Sequence, residues 1–344
     1  MGNTLAVLDV SPYVYTGSYA PGFRDTRKFS CPTSGMIYFL KHLCSILNDI
    51  DDVILCFDSR SHRKALDGMY KANRNPNPGV YAQLDFLYEF LTRYGFTCLK
   101  VDGYEADDLI YTVVEKYKKR YQRINIYTSD YDIAHNVSDN VSCLAVNSTT
   151  MDVTPYSFSY VLGGKNNTVV YNTISVFKLF MGDSSDNIKP FKCAKYKPKE
   201  LYNLFLKVLE QIGNYDIDVI KSREFVRLFI DDVLRNDLTS DEYSDLLNRI
   251  ELIYPCYVEY SYDDTPCSIN TVNRYDFATM LNSVGASDLN AEYIGIFRNT
   301  VNPDVDAYLR DLGNNFKSGY YAIDNDVINV CEKMDVDSYT LKGF

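Results

Sequence analysis

Short apolar runs alternate with helical patterns through the first half of the chain, and this alternation restricts the fold more than any other feature. The runs have the length of buried strands, and the segments between them carry apolar residues at three- and four-residue spacing. Such alternation predicts right-handed crossovers and a mostly parallel sheet. The predicted strands are Leu5–Leu8, Val53–Phe57, Thr97–Val101, Ile124–Thr128 and Ser142–Val146. The predicted helices between them are Thr33–Leu47, Tyr81–Tyr94 and Ala106–Tyr121.

The pattern changes after about residue 170, where helical segments dominate. We expect an α/β domain over residues 1–170, a helical region over 171–290, and a C-terminal extension over 291–344 with no evident role. In the first region, Asn73–Gly79 (NRNPNPG) has the composition of a loop. The predicted helices of the second region are Thr173–Met181, Pro198–Gln211, Arg223–Arg235, Ser240–Ile250 and Tyr275–Ser283.

Composition excludes several classes of protein. With 46% hydrophobic and 24% charged residues in 344, the chain is globular rather than disordered. A net charge of −11 argues against a protein that wraps nucleic acid by electrostatics alone, although acidic proteins can bind it through metal ions. No run reaches the roughly 18 apolar residues of a membrane span, and the N-terminus lacks the basic region of a signal peptide. The nine cysteines lack CxxC spacing, so we expect reduced thiols in a cytoplasm (the host's, for a viral protein) and no membrane contact.

Carboxylates follow the predicted strands at the points where those strands end. Asp9 ends the first strand (LAVLD), Asp58 ends the second (VILCFD), and Asp130 lies just past the fourth (INIYTSD). Because ligands of parallel sheets bind beyond the carboxyl ends of the strands, we expect these acids at one candidate site. More acids belong to neighbouring motifs: Glu105, Asp107 and Asp108 (YEADD), Asp132 (SDYD), and Asp183 and Asp186 (GDSSDN).

Each acidic motif has a plain structural explanation when it is taken alone. Acids are favoured at a helix N-terminus, and short Asp-rich stretches are common in turns. Together, so many carboxylates near one sheet edge would repel each other and raise each other's pKa values, unless cations are bound there. Oxygen-only ligands favour Mg²⁺, with Mn²⁺ as a substitute. Their number suits two ions, the arrangement that supports in-line displacement at a phosphodiester.

A basic stretch, HRKALDGMYKANR, follows Asp58 directly. It contains Arg63, Lys71 and Arg74, which could hold a phosphate and stabilise developing negative charge. Tyr70 in the same stretch could stack on a terminal base. The alternative interpretation is a solvated basic helix face, and the residues alone leave that alternative open.

A second basic stretch follows GDSSDN and includes Lys189, Lys192 and Lys195. In an acidic chain this local reversal of charge indicates contact with a phosphate backbone. An exposed lysine-rich loop with no ligand is the alternative interpretation.

The ordered set LDVS, FDS, Tyr-Lys-x-Asn-Arg, YEADD, SDYD and GDSSDN resembles the 5′→3′ exonuclease and flap endonuclease family, most closely its phage ribonuclease H-type replication nucleases. The resemblance covers about Leu5–Lys199. It implies a PIN-like α/β catalytic domain with an arch or clamp at residues 59–80, followed by a helical DNA-binding region that completes the metal site. It also implies a monomeric, structure-specific 5′ nuclease acting on branched or nicked DNA and RNA–DNA hybrids in replication or repair. A single-strand-binding protein or a sliding clamp would be a further partner.

The resemblance also implies roles for individual residues. It implies a first metal site from Asp9, Asp58, Glu105 and Asp107, with Asp108 close by. It implies a second metal site from Asp130, Asp132, Asp183 and Asp186, each site holding one Mg²⁺. Lys71 and Arg74 match the family's active-site cations, and Tyr70 matches a base-stacking tyrosine.

One departure from the family and two alternative functions remain. Where the family has a glycine-rich hairpin after its last Asp motif, this chain reads IKPFKCAKYKPK. A phosphatase of the haloacid dehalogenase type could use SDYD and GDSSDN, but it would leave Asp9, Asp58 and YEADD unexplained. A catalytically silent DNA-binding relative would be expected to lack one or more of these acids, and none is missing.

Overall fold

The computed structural model describes most of the chain. The described residues are 3–19, 32–144, 160–162, 167–169, 173–213, 216–261, 263–289 and 301–317. The predicted domain boundaries at 170/171 and 290/291 lie outside these residues, and the division into three regions stays a prediction. No helix in the described ranges combines the length and apolar character needed to cross a membrane.

A parallel sheet forms the centre of the first half, as the alternating pattern predicts. The described strands are β1 (Thr4–Asp9), β2 (Asp52–Cys56), β3 (Thr97–Leu99), β4 (Arg123–Tyr127), β5 (Val141–Leu144), β6 (Tyr160–Leu162), β7 (Asn167–Val169) and β8 (Cys267–Ser268). Strands β1 to β5 are parallel in the order β3-β2-β1-β4-β5, while β8 pairs antiparallel with β2 and β6 with β7. The predicted fifth strand extends to residues 145 and 146, which lie outside the described ranges.

Helices cover both faces of this sheet and form most of the second half. They are α1 (Val10–Tyr19), α2 (Ser34–Ile46), α3 (Arg63–Leu66), α4 (Pro78–Arg93), α5 (Ala106–Tyr117), α6 (Ile174–Met181), α7 (Pro198–Ile212), α8 (Ile217–Ile220), α9 (Arg223–Phe229), α10 (Ser240–Ile253), α11 (Arg274–Ser283), α12 (Ser287–Leu289) and α13 (Pro303–Lys317). A 3₁₀ helix at Tyr131–Asn136 follows β4, and a π turn at Ile230–Leu234 follows α9.

The central strand β1 is buried on both faces, which explains its continuous apolar sequence. Leu5 and Val7 pack in the core beneath α5, and Ala6 and Leu8 pack on the opposite face with α1, α2 and α4. Both layers hold the carboxyl edge of the sheet in place, where the acids emerge.

The structure differs from the sequence-based interpretation at two places. Helix α1 was not predicted, although it follows Asp9 without a break. Helix α4 begins at Pro78, so the predicted loop Asn73–Gly79 is shorter than its composition indicates. The reason is a cap, because the Asn77 side chain accepts hydrogen bonds from the backbone N–H groups of Gly79 and Val80 at 3.0 and 3.3 Å.

The second half of the chain builds its own core from α6, α7, α9 and α10. Phe205 lies at its centre, with its ring 5.1 Å from that of Phe229. Beyond α10 the chain returns to the α/β half, where Phe277 packs edge-on against Phe96 at 5.3 Å. Val305 of α13 is fully buried in the same core, so residues 301–317, for which the sequence indicates no role, help to stabilise the α/β half.

Candidate metal-binding active site

Four carboxylates meet at the carboxyl edge of the parallel sheet. Asp9 ends β1, Asp58 follows β2, Asp130 follows β4, and Asp107 lies in the first turn of α5. We call these residues the sheet-edge cluster. Burial raises the pKa of Asp9 well above its usual range, and repulsion from Asp58 and Asp130 raises it further. Burial, followed by Asp130 and Asp9, raises the pKa of Asp107 in the same way, so these carboxylates are close enough to repel one another.

Neutral donors orient the sheet-edge cluster. The Thr128 hydroxyl donates a hydrogen bond to Asp9 Oδ2 at 3.0 Å, and the N–H of Ala106 donates to Asp58 Oδ1 at 2.9 Å. Within the described part of the chain, no lysine, arginine or histidine nitrogen lies within 4.0 Å of a carboxylate of this cluster. These acids are therefore held in place without a direct ion pair from a described residue.

Three further acids, Asp132, Asp183 and Asp186, form a second group that we call the loop cluster. These acids have cationic partners. Lys178 donates hydrogen bonds to both Asp132 and Asp183, and Arg74 Nη2 donates to Asp186 Oδ1 at 2.6 Å. Each acid of the loop cluster is therefore paired with a cation from the chain itself.

The loop-cluster acids respond differently to this pairing. Burial raises the pKa of Asp183, but Lys178 more than reverses that effect, and the pKa falls below its usual value. Burial raises the pKa of Asp186 in spite of its two cationic neighbours. Burial and a neighbouring carboxylate raise the pKa of Asp132 to about 7, although Lys178 acts in the opposite direction.

Sequence reasoning missed Lys178. It stands in the otherwise apolar helix α6 (ISVFKLFM), and its side chain is only 11% exposed. The available signal was a single cation on an apolar helix, one turn before Asp183. Such a residue is costly to bury without a partner, so the sequence alone could have indicated a nearby acid.

Glu105 joins the basic stretch to the acids. Its carboxylate accepts hydrogen bonds from Lys71 Nζ at 2.6 Å, the Tyr70 hydroxyl at 2.9 Å and Arg63 Nη1 at 3.1 Å. Burial raises the pKa of Glu105, and Lys71 and Arg63 reverse that shift, so the net pKa is lowered. Glu105 is therefore a charged group that three side chains of residues 63–71 hold in position.

Arg63 and Asp108 form a buried pair, which corrects two predictions. Arg63 Nη2 and Nη1 donate to the two oxygens of Asp108 at 2.6 and 2.8 Å, and the side chains are 3% and 0% exposed. Asp108 also accepts from the N–H groups of Cys256 and Glu105 at 2.9 and 3.2 Å. Because these contacts occupy both groups, Arg63 does not face nucleic acid and Asp108 does not face a metal ion.

Tyr70 is also buried, at 3% exposure, and this corrects its prediction as a base-stacking residue. Its ring packs with Ile188 and Leu252. Its hydroxyl donates to Glu105 and also to Asp186 Oδ2, at 3.2 Å. Tyr70 therefore connects the basic stretch to the loop cluster, and no face of its ring is available to a base.

The lysines after GDSSDN lie on the surface. Lys189, Lys192 and Lys195 are exposed, whereas Phe191 between them is buried and anchors the segment. Lys195 pairs with Asp237, which neutralises part of its charge. The exposed side chains of Lys189 and Lys192 fit the predicted phosphate contact better than that of Lys195.

The donor chemistry of the acids fits hard divalent cations. In the part of the chain that the structure describes, no three His, Cys, Asp or Glu side chains are already arranged around a metal position. The sheet-edge cluster nevertheless offers only oxygen donors, and burial together with repulsion from neighbouring carboxylates raises the pKa values of Asp9 and Asp107. In the loop cluster, the ammonium of Lys178 already lies between two carboxylates.

Fold and site together define an α/β domain that gathers carboxylates at the carboxyl edge of a parallel sheet and adds further acids from a helical region. Residues 4–161 match the family model for the 5′-3′ exonuclease, N-terminal resolvase-like domain. This part of the chain is similar to the 5′-3′ exonuclease family, as the ordered motifs predict.

Several curated relatives show the same similarity. The 5′-3′ exonuclease of Aquifex aeolicus is 28% identical over 254 residues, which are 71% of this chain and 83% of the relative. The 5′-3′ exonuclease of Bacillus subtilis is 30% identical over 191 residues, 53% of this chain and 64% of the relative. Other matches are shorter: the chain spans 64% of a Buchnera aphidicola 5′-3′ exonuclease and 26% of a Caldicellulosiruptor bescii DNA polymerase I. A crystal structure of the T5 D15 protein with metal ions aligns at a TM-score of 0.48 and 15% identity, over 89% of this chain and 99% of that chain.

Proposed function

We propose that this protein is a divalent-metal-dependent 5′ nuclease that hydrolyses phosphodiesters in branched or nicked DNA and in RNA–DNA hybrids. The reaction would proceed from the 5′ end, as a 5′→3′ exonuclease or a flap endonuclease, during replication or repair. The product would carry a 5′ phosphate. The names of the curated relatives support the reaction class.

One observation carries the proposal. Carboxylates of the sheet-edge cluster repel each other, Asp9 is buried, and within the described residues no ion pair compensates them. A fold keeps such a group when cations fill it in the working protein. The segment that builds this cluster is the one that matches the 5′-3′ exonuclease family.

The acids would hold two Mg²⁺ ions, which Mn²⁺ could replace. Asp9, Asp58, Asp107 and Asp130 would provide oxygen ligands at the sheet edge, and the loop cluster would provide those of a second position. Bound ions of this kind polarise a phosphate, lower the pKa of a bound water and stabilise the leaving oxygen.

Two cations of the basic stretch would act on the substrate. Lys71 and Arg74 would contact the scissile phosphate and stabilise the negative charge that develops on it. Arg74 suits this role because its side chain is 53% exposed next to Asp186. Lys71 is held at Glu105, within 3.9 Å of Asp186, so both cations border the acids.

Duplex DNA would contact the surface beside the acids. Lys189 and Lys192 would reach phosphates of the backbone, because both are exposed directly after the loop cluster. A monomeric state, a cytoplasmic location and a single-strand-binding protein or sliding clamp as partner stay predictions.

The test is a cleavage assay on 5′-labelled flap, nicked duplex and RNA–DNA hybrid, with Mg²⁺, Mn²⁺ or EDTA. We expect short 5′-labelled products with either ion and none with EDTA. Asp130→Asn should lower the rate by about 100-fold or more, because it removes a charge aimed at the reaction centre. Asp139→Asn is the matched control, since Asp139 is exposed and close in sequence but outside both clusters.

The outcomes separate the alternatives. Full activity of Asp130→Asn in Mg²⁺ would contradict the proposal. Binding of flap DNA without cleavage under any divalent ion would support a silent relative. Release of inorganic phosphate from small monoesters, with no nuclease activity, would support the phosphatase.

A further inference from the structure

Lys178 occupies an unusual position for a helix residue. Helix α6 is apolar on most sides, and the only cation it carries donates hydrogen bonds to Asp132 and to Asp183 together. These two acids come from separate segments, the 3₁₀ helix after β4 and the loop after α6. The ammonium therefore bridges the α/β half and the helical half at the loop cluster.

The cavity around Lys178 is lined by a further polar residue, Asn136, as well as by acids. Asp132, Asn136, Lys178, Asp183 and Asp186 all line it. Asn136 is 3% exposed, its Nδ2 donates to the carbonyl of Ile133 at 3.0 Å, and its Oδ1 has no hydrogen-bond partner among the described residues. Because that donor fixes the orientation of the amide, Oδ1 is an unpaired acceptor on a residue that lines the same cavity as the acids that Lys178 bridges.

We propose that Lys178 is a built-in counter-ion that occupies the second cation position and must leave it before a divalent ion binds there. This inference rests on the proposed metal-dependent function. An ammonium and a divalent ion cannot both lie between the same two carboxylates, because the two cations repel each other and compete for the same oxygens. The two cation positions would therefore differ, with a strong site at the sheet-edge cluster and a weak one at the loop cluster.

This arrangement has a consequence for the working protein. At ion concentrations too low to displace Lys178, a weak second position fills when another group holds the ammonium away from the acids, and a phosphate of the substrate is the group that would attract it. The second ion and the substrate would then bind cooperatively, since each favours the state in which Lys178 has left the acids. Lys178 is in this sense a positioning residue, which acts through the acids.

The experiment measures ion binding without substrate. Mn²⁺ is titrated into wild type and Lys178→Met, and free Mn²⁺ is followed by electron paramagnetic resonance. In wild type we expect one strong and one weak ion. In Lys178→Met the weak ion should bind about tenfold more tightly or better, because an opposing charge next to the site has been removed, while the strong ion is unchanged.

Lys118→Met is the matched control. Lys118 also bridges two carboxylates, with Nζ 2.8 Å from Glu115 Oε1 and 2.8 Å from Asp218 Oδ2, and its side chain is similarly buried at 16% exposure. It lies just beyond the end of α5, whose first turn carries Asp107. We expect both Mn²⁺ affinities to stay at their wild-type values in this variant.

A second measurement uses the wild-type protein, in case Lys178→Met does not fold. Reductive methylation of lysines, read by mass spectrometry, reports whether an amine is free. Mg²⁺ at saturating concentration should increase the methylation of Lys178 and leave that of Lys118 unchanged. A lysine with a merely structural role would show no response to the ion.

The results separate failure of the inference from failure of the proposed function. Equal second-ion affinity in wild type and a folded Lys178→Met, or unchanged methylation of Lys178 with Mg²⁺, would overturn the inference and leave the nuclease proposal standing. No Mn²⁺ binding in either protein would overturn both, because the proposed function itself requires the ion.

Discussion

The sheet-edge cluster and the loop cluster contain the same kind of side chain in opposite electrostatic surroundings. At the sheet edge, Asp9 and Asp107 are destabilised by burial and by neighbouring acids. In the loop cluster, Asp183 is stabilised by Lys178, and Asp186 is paired with Arg74. The comparison teaches that acidic residues gathered at one site need not all lack a cationic partner, because the chain itself can supply a lysine or an arginine to some of them.

The largest expected effect is on catalysis, at the sheet-edge cluster, which has no ion pair with a described residue. Asp107→Asn should reduce cleavage of a 5′ flap by about 1000-fold, since several kcal/mol of transition-state stabilisation by a metal would be lost. Rates in Mg²⁺ measure this effect, with Asp139→Asn as the control. A loss of less than tenfold would mean that the sheet-edge cluster is not the reaction centre.

The next effect concerns the buried pair of Arg63 and Asp108. Arg63→Met should lower the free energy of unfolding by about 3 kcal/mol or more, because it leaves the fully buried Asp108 without its guanidinium partner. Urea unfolding measures the change.

The surface pair of Arg93 and Glu89, at 2.7 Å and nearly half exposed, provides the control for Arg63→Met. Arg93→Met should cost less than about 1 kcal/mol, as is usual for exposed pairs. Equal costs for the two variants would contradict a structural role for Arg63.

A smaller effect concerns stability: removing one acid should change the free energy of unfolding in opposite directions in the two clusters. With EDTA present at neutral pH, Asp107→Asn should raise the free energy of unfolding by about 1 kcal/mol, because a repelled and buried charge is removed. Asp183→Asn should lower it by about the same amount, because Lys178 loses a partner whose pKa it depresses. Thermal or urea unfolding measures the sign of each change. Two changes of the same sign would contradict the electrostatic difference between the two clusters.

The smallest effect is a pH dependence of the free energy of unfolding that comes from His135, whose ring contacts the Ser175 hydroxyl. Burial, followed by Lys221 and Arg223, lowers the pKa of His135 to about 3 from 6.5. A group with a depressed basic pKa contributes full stability above its unfolded pKa and loses it as the pH falls, because the unfolded chain takes up the proton first. Between pH 6.5 and about pH 5.5 the contribution of His135 alone to the free energy of unfolding should fall by about 1 kcal/mol, while the raised pKa of Asp132 acts in the opposite direction.

The loss is measured by urea unfolding across that pH range. The difference in the free energy of unfolding between wild type and His135→Gln should change by about 1 kcal/mol over this range, whatever the effect of the substitution on absolute stability. His62 is the comparison residue, because its ring is only partly buried and contacts the carbonyl of Gly103 at 2.9 Å. An unchanged slope in His135→Gln would contradict the assignment.

Much of the fold could be predicted because it depends on local pattern. Strands β1 and β2 contain continuous apolar runs, LAVL and VILC, and Asp9 and Asp58 mark where these two strands end. Helix α1 was missed because its sequence, VSPYVYTGSY, mixes a proline with β-branched, aromatic and glycine residues and so hides the helical period.

The pairing of charges could not be predicted, because it depends on contacts between distant parts of the chain. Arg63 lies in a basic stretch that is typical of an exposed surface. Its partner Asp108, however, is 45 residues away in the sequence, and the carbonyl of Tyr254, which it also contacts, is 191 residues away. Lys178 and Asp132 are separated by 46 residues in the same way. Sequence position therefore indicated which residues gather at the site, and only the packing of the two halves determined which of them are neutralised.

The central claim is that the sheet-edge cluster binds a divalent ion. The most direct measurement is anomalous diffraction from crystals grown with Mn²⁺, which locates the metal without reference to activity. We predict a strong anomalous peak within coordination distance of Asp9 and Asp107. A well-ordered sheet edge with no peak there, at a Mn²⁺ concentration that supports cleavage, would contradict the claim.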